Sequence, residues 1–217
     1  MHAWLILLHL LSADDLIDNR QYVKVQKPWV FCAAIDIGTT YSGYAFSSKA
    51  GYAREPLTMY TSVWDGCKLF SLKTPTAVLL DSSQEFVAFG FEAEKTYSDL
   101  LAEEEHEDYY YFHSFKMLLY EKRITRNLKI KDVHDKEMEA LKVFQCAIRF
   151  LKDRFLKTLS DRVKSIEEDD VFFVLTVPAI WDDSARQFMR EAATMVSFWF
   201  NPGFKSFLMV SEKYFIR

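Results

Sequence analysis

Phe31-Cys-Ala-Ala-Ile-Asp36-Ile-Gly38-Thr39-Thr40-Tyr41-Ser42-Gly43-Tyr44-Ala45-Phe46-Ser-Ser48 is the stretch that decides how this chain is read. An apolar run ends in a carboxylate, turns through a glycine and two hydroxyl residues, and returns as a second strand-like segment. The pattern predicts a β-hairpin of Val30–Ile37 and Tyr41–Ser48. Without a Cβ, Gly38 lets the backbone come close to an oxyanion. The N–H groups of the turn form an anion-binding concavity, to which Thr39 and Thr40 add hydroxyl donors. Asp36 would face a metal ion, because Mg²⁺ takes hard oxygen ligands and usually keeps several waters. These residues suit a nucleoside triphosphate and its metal, held without a P-loop. An ordinary hairpin is the plainer alternative, since a short motif is a hypothesis until its context agrees.

The rest of the chain supplies that context. A third strand is expected near Leu57–Val63, with Asp65-Gly66 as a turn between strands. Thr76–Leu80 and Phe86–Phe89 read as short strands around the polar turn Asp81-Ser-Ser-Gln84. Glu92–Leu101 reads as a helix, whereas the aromatic-rich Tyr109–Leu119 shows no deciding period. From about Val133 to Lys164 the pattern predicts a long amphipathic helix. Leu141, Phe144, Ile148, Leu151, Phe155 and Leu159 fall on one face of it, as core packing requires. Val171–Val177 is an unbroken apolar run suited to a strand buried on both faces. Pro178 ends it, since proline cannot donate to the ladder. Asp182, Asp183 and Ser184 read as N-caps of the following helix in preference to metal ligands.

Taken in order, these segments resemble the 70-kDa heat-shock proteins of the actin/hexokinase-like ATPase superfamily. Asp36-Ile-Gly38-Thr-Thr-Tyr-Ser42 resembles the family's first phosphate motif, and Lys73-Thr-Pro75-Thr-Ala-Val-Leu-Leu its threonine-proline strand. Phe89-Gly90-Phe-Glu-Ala93 looks like a Gly-x-x-Ala helix start. Phe112-His-Ser-Phe-Lys116 looks like the segment carrying the catalytic lysine. Val171–Ala179 and Asp183-Ser-Ala-Arg186-Gln187 resemble the strand ending in Thr-Val-Pro-Ala and the helix start after it. Gly43-Tyr44-Ala45, Val177-Pro-Ala-Ile-Trp181 and Phe188-Met-Arg-Glu-Ala-Ala193 are similar in wording to the divergent heat shock 70 kDa protein 12A/12B branch. The resemblance runs over roughly residues 30–193.

The resemblance implies an α/β, ribonuclease-H-like (actin-like ATPase) lobe, a mixed sheet with flanking helices. It implies ATP and Mg²⁺ as cofactors, with Asp36 acting on the metal through water and Gly38, Thr39, Thr40 and Tyr41 around the phosphates. Lys116 would orient the attacking water or stabilise charge on the γ-phosphoryl group. After Ala193 the pattern stops. No Glu-Pro follows it, Asp36-Ile-Gly38 is the single Asp-x-Gly in the chain, and the glycine-rich adenosine-binding segments have no counterpart. The expected organisation is a leader over 1–27, a first lobe over 28–193 and a divergent tail over 194–217, an N-terminal fragment with the second lobe absent. Phe198, Trp199, Phe200, Phe204, Phe207 and Leu208 add apolar surface there. The expected function is the ATP-binding lobe of a chaperone-like ATPase, deficient in hydrolysis. The alternative is a regulatory or protein-interaction module that uses the exposed lobe face. A sugar or acetate kinase of the same superfamily fits less well, and P-loop and Rossmann glycine patterns do not occur.

Composition agrees. With 217 residues, 50% hydrophobic and 16% aromatic, the chain is long and apolar enough for a core. A net charge of −4 with interspersed signs gives no nucleic-acid footprint. Lys122, Arg123, Arg126, Lys129 and Lys131 read as a solvated basic face, and Glu103–Asp108 as an exposed acidic loop. Cys32, Cys67 and Cys146 show no Cys-x-x-Cys spacing, and no Asn-x-Ser/Thr occurs, which predicts reduced thiols and a cytoplasmic location. The apolar stretch Ala3–Leu11 is too short to span a bilayer. As a signal peptide it has only Met1 and His2 before it and a poor cleavage match at Leu11-Ser-Ala13, so a packed or frayed leader is the favoured reading and secretion the alternative.

Overall fold

The computed structural model describes residues 29–66, 69–121, 124–125, 127–178, 180–198 and 208–211. The leader expected over 1–27 lies outside them, as do Cys67, Lys122, Arg123, Arg126, Trp199, Phe200, Phe204 and Phe207. The hairpin that opens the sequence forms as expected. Strand β1 (Phe31–Ile37) and β2 (Tyr41–Ser48) pair antiparallel, from Phe31 opposite Ser48 to Ile37 opposite Ser42. The third strand is shorter than expected, with β3 only Tyr60–Thr61, paired to β2. A small hairpin follows, β4 (Trp64–Gly66) and β5 (Leu69–Ser71). Asp65 and Gly66 therefore stand in a strand opposite Phe70 and Leu69, not in the turn that the Asp-Gly pair implied.

Strand β6 (Thr74–Pro75) pairs with the start of β2. It leads into a three-stranded antiparallel sheet of β7 (Ala77–Leu80), β8 (Phe86–Phe89) and β9 (Tyr110–His113), ordered β8-β7-β9. Helix α1 (Lys49–Arg54) follows β2, and α2 (Phe91–Ala102) packs on β7 and β8. The undecided stretch Tyr109–Leu119 resolves as β9, a 3₁₀ turn at Phe115–Met117 and the short α3 (Leu118–Glu121).

The long helix is α4, Ala140–Ser160, and it starts later than the periodicity implied. Residues 137–139 belong instead to β11 (Glu137–Glu139), paired with β10 (Lys129–Lys131). A tight turn led by the Asp132 carboxylate, which accepts from the amides of His134 and Lys136 at 2.9 Å each, takes these residues out of the helix. Lys129 and Lys131 are exposed and pair with Glu137 and Asp135, which is the solvated face expected of them.

Strand β12 (Val171–Val177) lies parallel to β1, with Phe31 opposite Val171 and Asp36 opposite Thr176. Helix α5 (Asp183–Phe198) follows, its first turn capped by the Asp182 carboxylate, which accepts from the amide of Ala185 at 2.8 Å. Strand β13 (Leu208–Ser211) then pairs parallel to β12. The main sheet thus runs β13-β12-β1-β2-β3, parallel on one side of β1 and antiparallel on the other. This is the mixed α/β, ribonuclease-H-like arrangement that the resemblance implied.

Period-two alternation splits β1 between two environments. Ala33, Ile35 and Ile37 join Tyr44 and Phe46 of β2 against Phe144, Ile148, Leu151 and Phe155 of α4. Each of those helix side chains, fully buried, contributes roughly 1.5–3 kcal/mol of apolar transfer. Cys32 and Ala34 face the other way with Ala45 and Val174. Asp36, next in that second series, therefore sits on the face opposite α4, at the carboxyl end of β1.

Candidate functional site

The carboxyl ends of parallel strands, where an open α/β sheet leaves a crevice between loops, are the usual ligand positions of such folds. Here β1 and β12 end side by side, and the side chains of Asp36 and Thr176 meet. Thr176 Oγ1 donates to Asp36 Oδ1 at 3.1 Å. The second oxygen, Oδ2, accepts from Lys73 Nζ at 2.5 Å. Lys73 enters just before β6 and reaches Asp36 over Gly43, the residue opposite Asp36 in the hairpin. A Cβ on Gly43 would lie 3.3 Å from Lys73 Cγ, so the glycine leaves the track along which the lysine stem runs.

Asp36 is buried, 7% exposed. Burial alone would push its carboxyl up. The charge and hydrogen bond of Lys73, the charge of Lys116 and the Thr176 hydrogen bond outweigh it and hold the group below its ordinary value. Asp36 is thus an anion supported by two lysines.

The turn after β1 is built around Gly38. A Cβ there would lie 2.2 Å from the carbonyl oxygen of Tyr41, so the tightness of the turn itself demands glycine. Thr76, between β6 and β7, clamps the turn. Its Oγ1 donates to Gly38 O at 2.8 Å, its amide donates to Thr40 O at 2.9 Å, and Ser42 Oγ lies 2.7 Å from Oγ1. With the Thr76 proton committed to Gly38, the Ser42 hydroxyl is the donor in that last bond. The amides and hydroxyls of Thr39 and Thr40 have no hydrogen-bond partner among the described residues. The turn therefore offers donors, with Tyr41 half-exposed beside it.

Lys116 arrives from the far side. Strand β9 ends at His113, and Ser114, whose amide donates to Thr76 O at 3.2 Å, turns the chain in the left-handed region at φ 50°. A non-glycine residue there costs roughly 1–2 kcal/mol. The following turn buries the Lys116 side chain, 4% exposed, with Nζ 5.2 Å from the centre of the Trp181 ring. Trp181 lies between β12 and α5 and stacks edge-on with Tyr120 at 5.7 Å. Its Nε1 is buried and has no partner among the described residues.

The sequence-expected residues Asp36, Gly38, Thr39, Thr40 and Tyr41 are brought together by the hairpin, and the charge of Lys116 bears on Asp36. Lys73, Thr76, Thr176 and Trp181 adjoin them, though the sequence alone assigns these four no role. Their signal lay in motifs already quoted, Lys-Thr-Pro-Thr and Thr-Val-Pro-Ala-Ile-Trp, where the strand was read and the side chains were not. Of the other candidates, the thiols are quiet. Cys32 is buried and pushed far up, and burial, partly offset by Lys142 and Arg149, takes Cys146 up to about 11. No cluster of three or more metal-ligating side chains occurs among the described residues, so the acidic segment Glu103–Asp108 forms none. No helix among them is long and apolar enough to cross a membrane.

The sequence places this architecture among known proteins. Heat shock 70 kDa protein 12A of Mus musculus is 37% identical over 188 residues, covering 84% of this chain and 27% of the relative. Heat shock 70 kDa protein 12B of Homo sapiens is 42% identical over 165 residues, covering 74% of this chain and 23% of the relative. Over most of its length this chain is a homologue of heat shock 70 kDa proteins 12A and 12B. It spans roughly a quarter of the length of these curated relatives. No protein-family model matches the chain. Among solved structures, MreB5 of Spiroplasma citri bound to ADP aligns at a TM-score of 0.41 and 12% identity, covering 84% of this chain and 38% of that one.

Proposed function

We propose that this chain carries the phosphate-side half of a nucleotide site, the ATP-binding lobe of a chaperone-like ATPase of the heat shock 70 kDa protein 12 type. The observation that carries the reading is the Asp36 carboxylate at the joint carboxyl ends of β1 and β12. It is flanked by a donor-rich Gly38–Thr40 turn and by two lysines. A triphosphate needs amide and hydroxyl donors, fixed cations and a hard oxygen site for its metal, and this set has each.

The donor set fits Mg²⁺, with Asp36 holding it through water. When bound, the metal would supply positive charge against that of the phosphates. The protein's own part is positional. Thr76 holds the turn in one shape, so that the Thr39 and Thr40 donors are ordered before the ligand arrives. Tyr41 borders them. Lys116, seated on Trp181, presents a fixed cation to the terminal phosphoryl group and the water near it.

Hydrolysis demands a closed site and exact placement of water. To this the described residues bring only Lys116, so the reading is binding with little or no turnover by this chain, in the cytoplasm. One phosphate turn must first offset the cost of immobilising the ligand. The affinity expected of these residues alone is therefore about 1 mM, near −4 kcal/mol.

Titration with Mg-ATP followed by protein NMR, with Asp36→Asn alongside, tests the reading. Saturable shifts at the Gly38–Tyr41 turn, weakened at least tenfold in the variant (about 1.4 kcal/mol), are expected. Wild-type spectra unmoved by roughly 10 mM Mg-ATP would sink it.

A second reading has its own observation. Ile180, next in sequence to the buried Trp181, is 80% exposed, and Tyr120, 42% exposed, meets the Trp181 ring edge-on, which makes an apolar rim. Such a rim suits a protein partner docking on this face. Its test is whether Ile180→Asp changes the association behaviour of the folded chain while leaving the Asp36 site intact.

A further inference from the structure

Lys73 holds Asp36 at 2.5 Å, yet its own side chain is 37% exposed. The carboxylate it pairs with is buried and retains Thr176 on its other oxygen. The lysine is thus the removable partner of the pair, and Thr176 the fixed one. Gly43 keeps open the track along which the lysine stem lies, with Leu72 O and Lys73 Cγ each 3.3 Å from where a Cβ would be. A tight ion pair across a sheet face could be plain ballast. Two facts argue otherwise. The pair occupies the one carboxylate at the carboxyl ends of β1 and β12, and its cation comes from a loop edge, with water on one side.

We infer that Lys73 is a built-in counter-ion for the metal position of Asp36. It occupies the carboxylate when no divalent cation is present and exchanges off it when one binds, moving its ammonium to the phosphate side. The inference rests on the nucleotide reading for its ligand but not for its test. No bond is made or broken in the exchange. One cation replaces another at a carboxylate oxygen or its water shell, and because the lysine keeps its charge nearby, total charge at the site rises by two units until the phosphates arrive. Divalent cation alone should therefore bind weakly, and cation and nucleotide together far better than either apart.

Mn²⁺, counted as free ion by electron paramagnetic resonance, is the probe. Lys73→Met, which removes the competing cation, is expected to bind Mn²⁺ at least roughly tenfold more tightly than the wild type. Lys73→Arg should stay at the wild-type level, and Lys73→Met combined with Asp36→Asn should lose the gain. Unchanged or weaker Mn²⁺ binding by Lys73→Met overturns the inference.

Because removing one partner of a largely buried pair can destabilise a fold, a second measurement uses the unaltered chain. Acetylation of the Lys73 amine, read by mass spectrometry, should speed up when Mn²⁺ is added without nucleotide. A rate indifferent to Mn²⁺ overturns the exchange. Failure of Mg-ATP to bind while the Mn²⁺ results hold would sink the nucleotide reading and leave Lys73 as a metal-displaced counter-ion.

Discussion

Asp36 and Asp132 are both buried carboxylates, 7% and 8% exposed, and they are kept in opposite ways. Asp132 is served by backbone. The amides of His134 and Lys136 donate to its Oδ1 at 2.9 Å each, and Lys136 Nζ stands 3.9 Å from Oδ2. Every partner lies within four residues, and the two amides cannot leave without unmaking the turn between β10 and β11. Asp36 is served by side chains from 37 and 140 residues away. A carboxylate fixed by amides belongs to the scaffold, whereas one fixed by a swinging lysine can trade partners. Burial alone does not separate the two. The identity and mobility of the compensating group does.

Mutagenesis can break this contrast. Asp132→Ala removes two amide hydrogen bonds to a charge, and should lower unfolding stability by about 3 kcal/mol. A urea melt would read it, and Mg-ATP binding to the protein that remains folded should be unaffected. Thr76→Val should come next. It orphans Gly38 O and the Ser42 hydroxyl at once, at a cost of about 2 kcal/mol. Because that turn belongs to the candidate site, nucleotide binding should weaken as well, and calorimetric unfolding together with titration would show both losses. Asp36→Asn should cost stability least, about 1 kcal/mol, yet weaken Mg-ATP binding at least tenfold. An Asp36→Asn protein that melts early and still binds would reverse the assignment of the two aspartates.

The smallest effect is in acid. The folded carboxyl of Asp36 lies below its ordinary value of 3.8, so the folded state keeps it ionised where the unfolded chain takes up a proton. The stability it adds is full above the unfolded value and drains as pH falls through the folded one. The gap in unfolding free energy between wild type and Asp36→Asn should therefore narrow as pH drops below 3.8. A gap that widens there would mean burial, not the lysines, governs this carboxyl.

The sequence made the scaffold legible where its signals were contiguous. The hairpin over 31–48 and the strand Val171–Val177 came out with nearly their final bounds, because each carries its own alternation or apolar run. The start of α4 did not. Residues 133–139 share the apolar spacing of the helix, and the hairpin that claims them has strands of only three residues, with Ile130 and Met138 the single buried pair. No periodicity survives in so short a strand, and the Lys129–Glu137 pair becomes visible only after the strands meet.

The site divides in the same way. Asp36, Gly38, Thr39 and Thr40 stand within five residues and announce themselves. Lys73, Thr76 and Thr176 act on them from 37, 38 and 140 residues away, through registers that only the folded sheet defines. Lys116 is a candidate through resemblance alone, and its burial against Trp181 is not legible in the sequence.

The parallel pairing of β1 with β12 also sets a timetable for the nascent chain. Thr176 is synthesised 140 residues after Asp36, and at 5–20 residues per second that is an interval of roughly 7–28 s. Throughout it, β1 has β2 on one side and an open apolar edge on the other, the kind of edge that recruits other strands. Cover for that edge by β12 thus waits until most of the chain has been made.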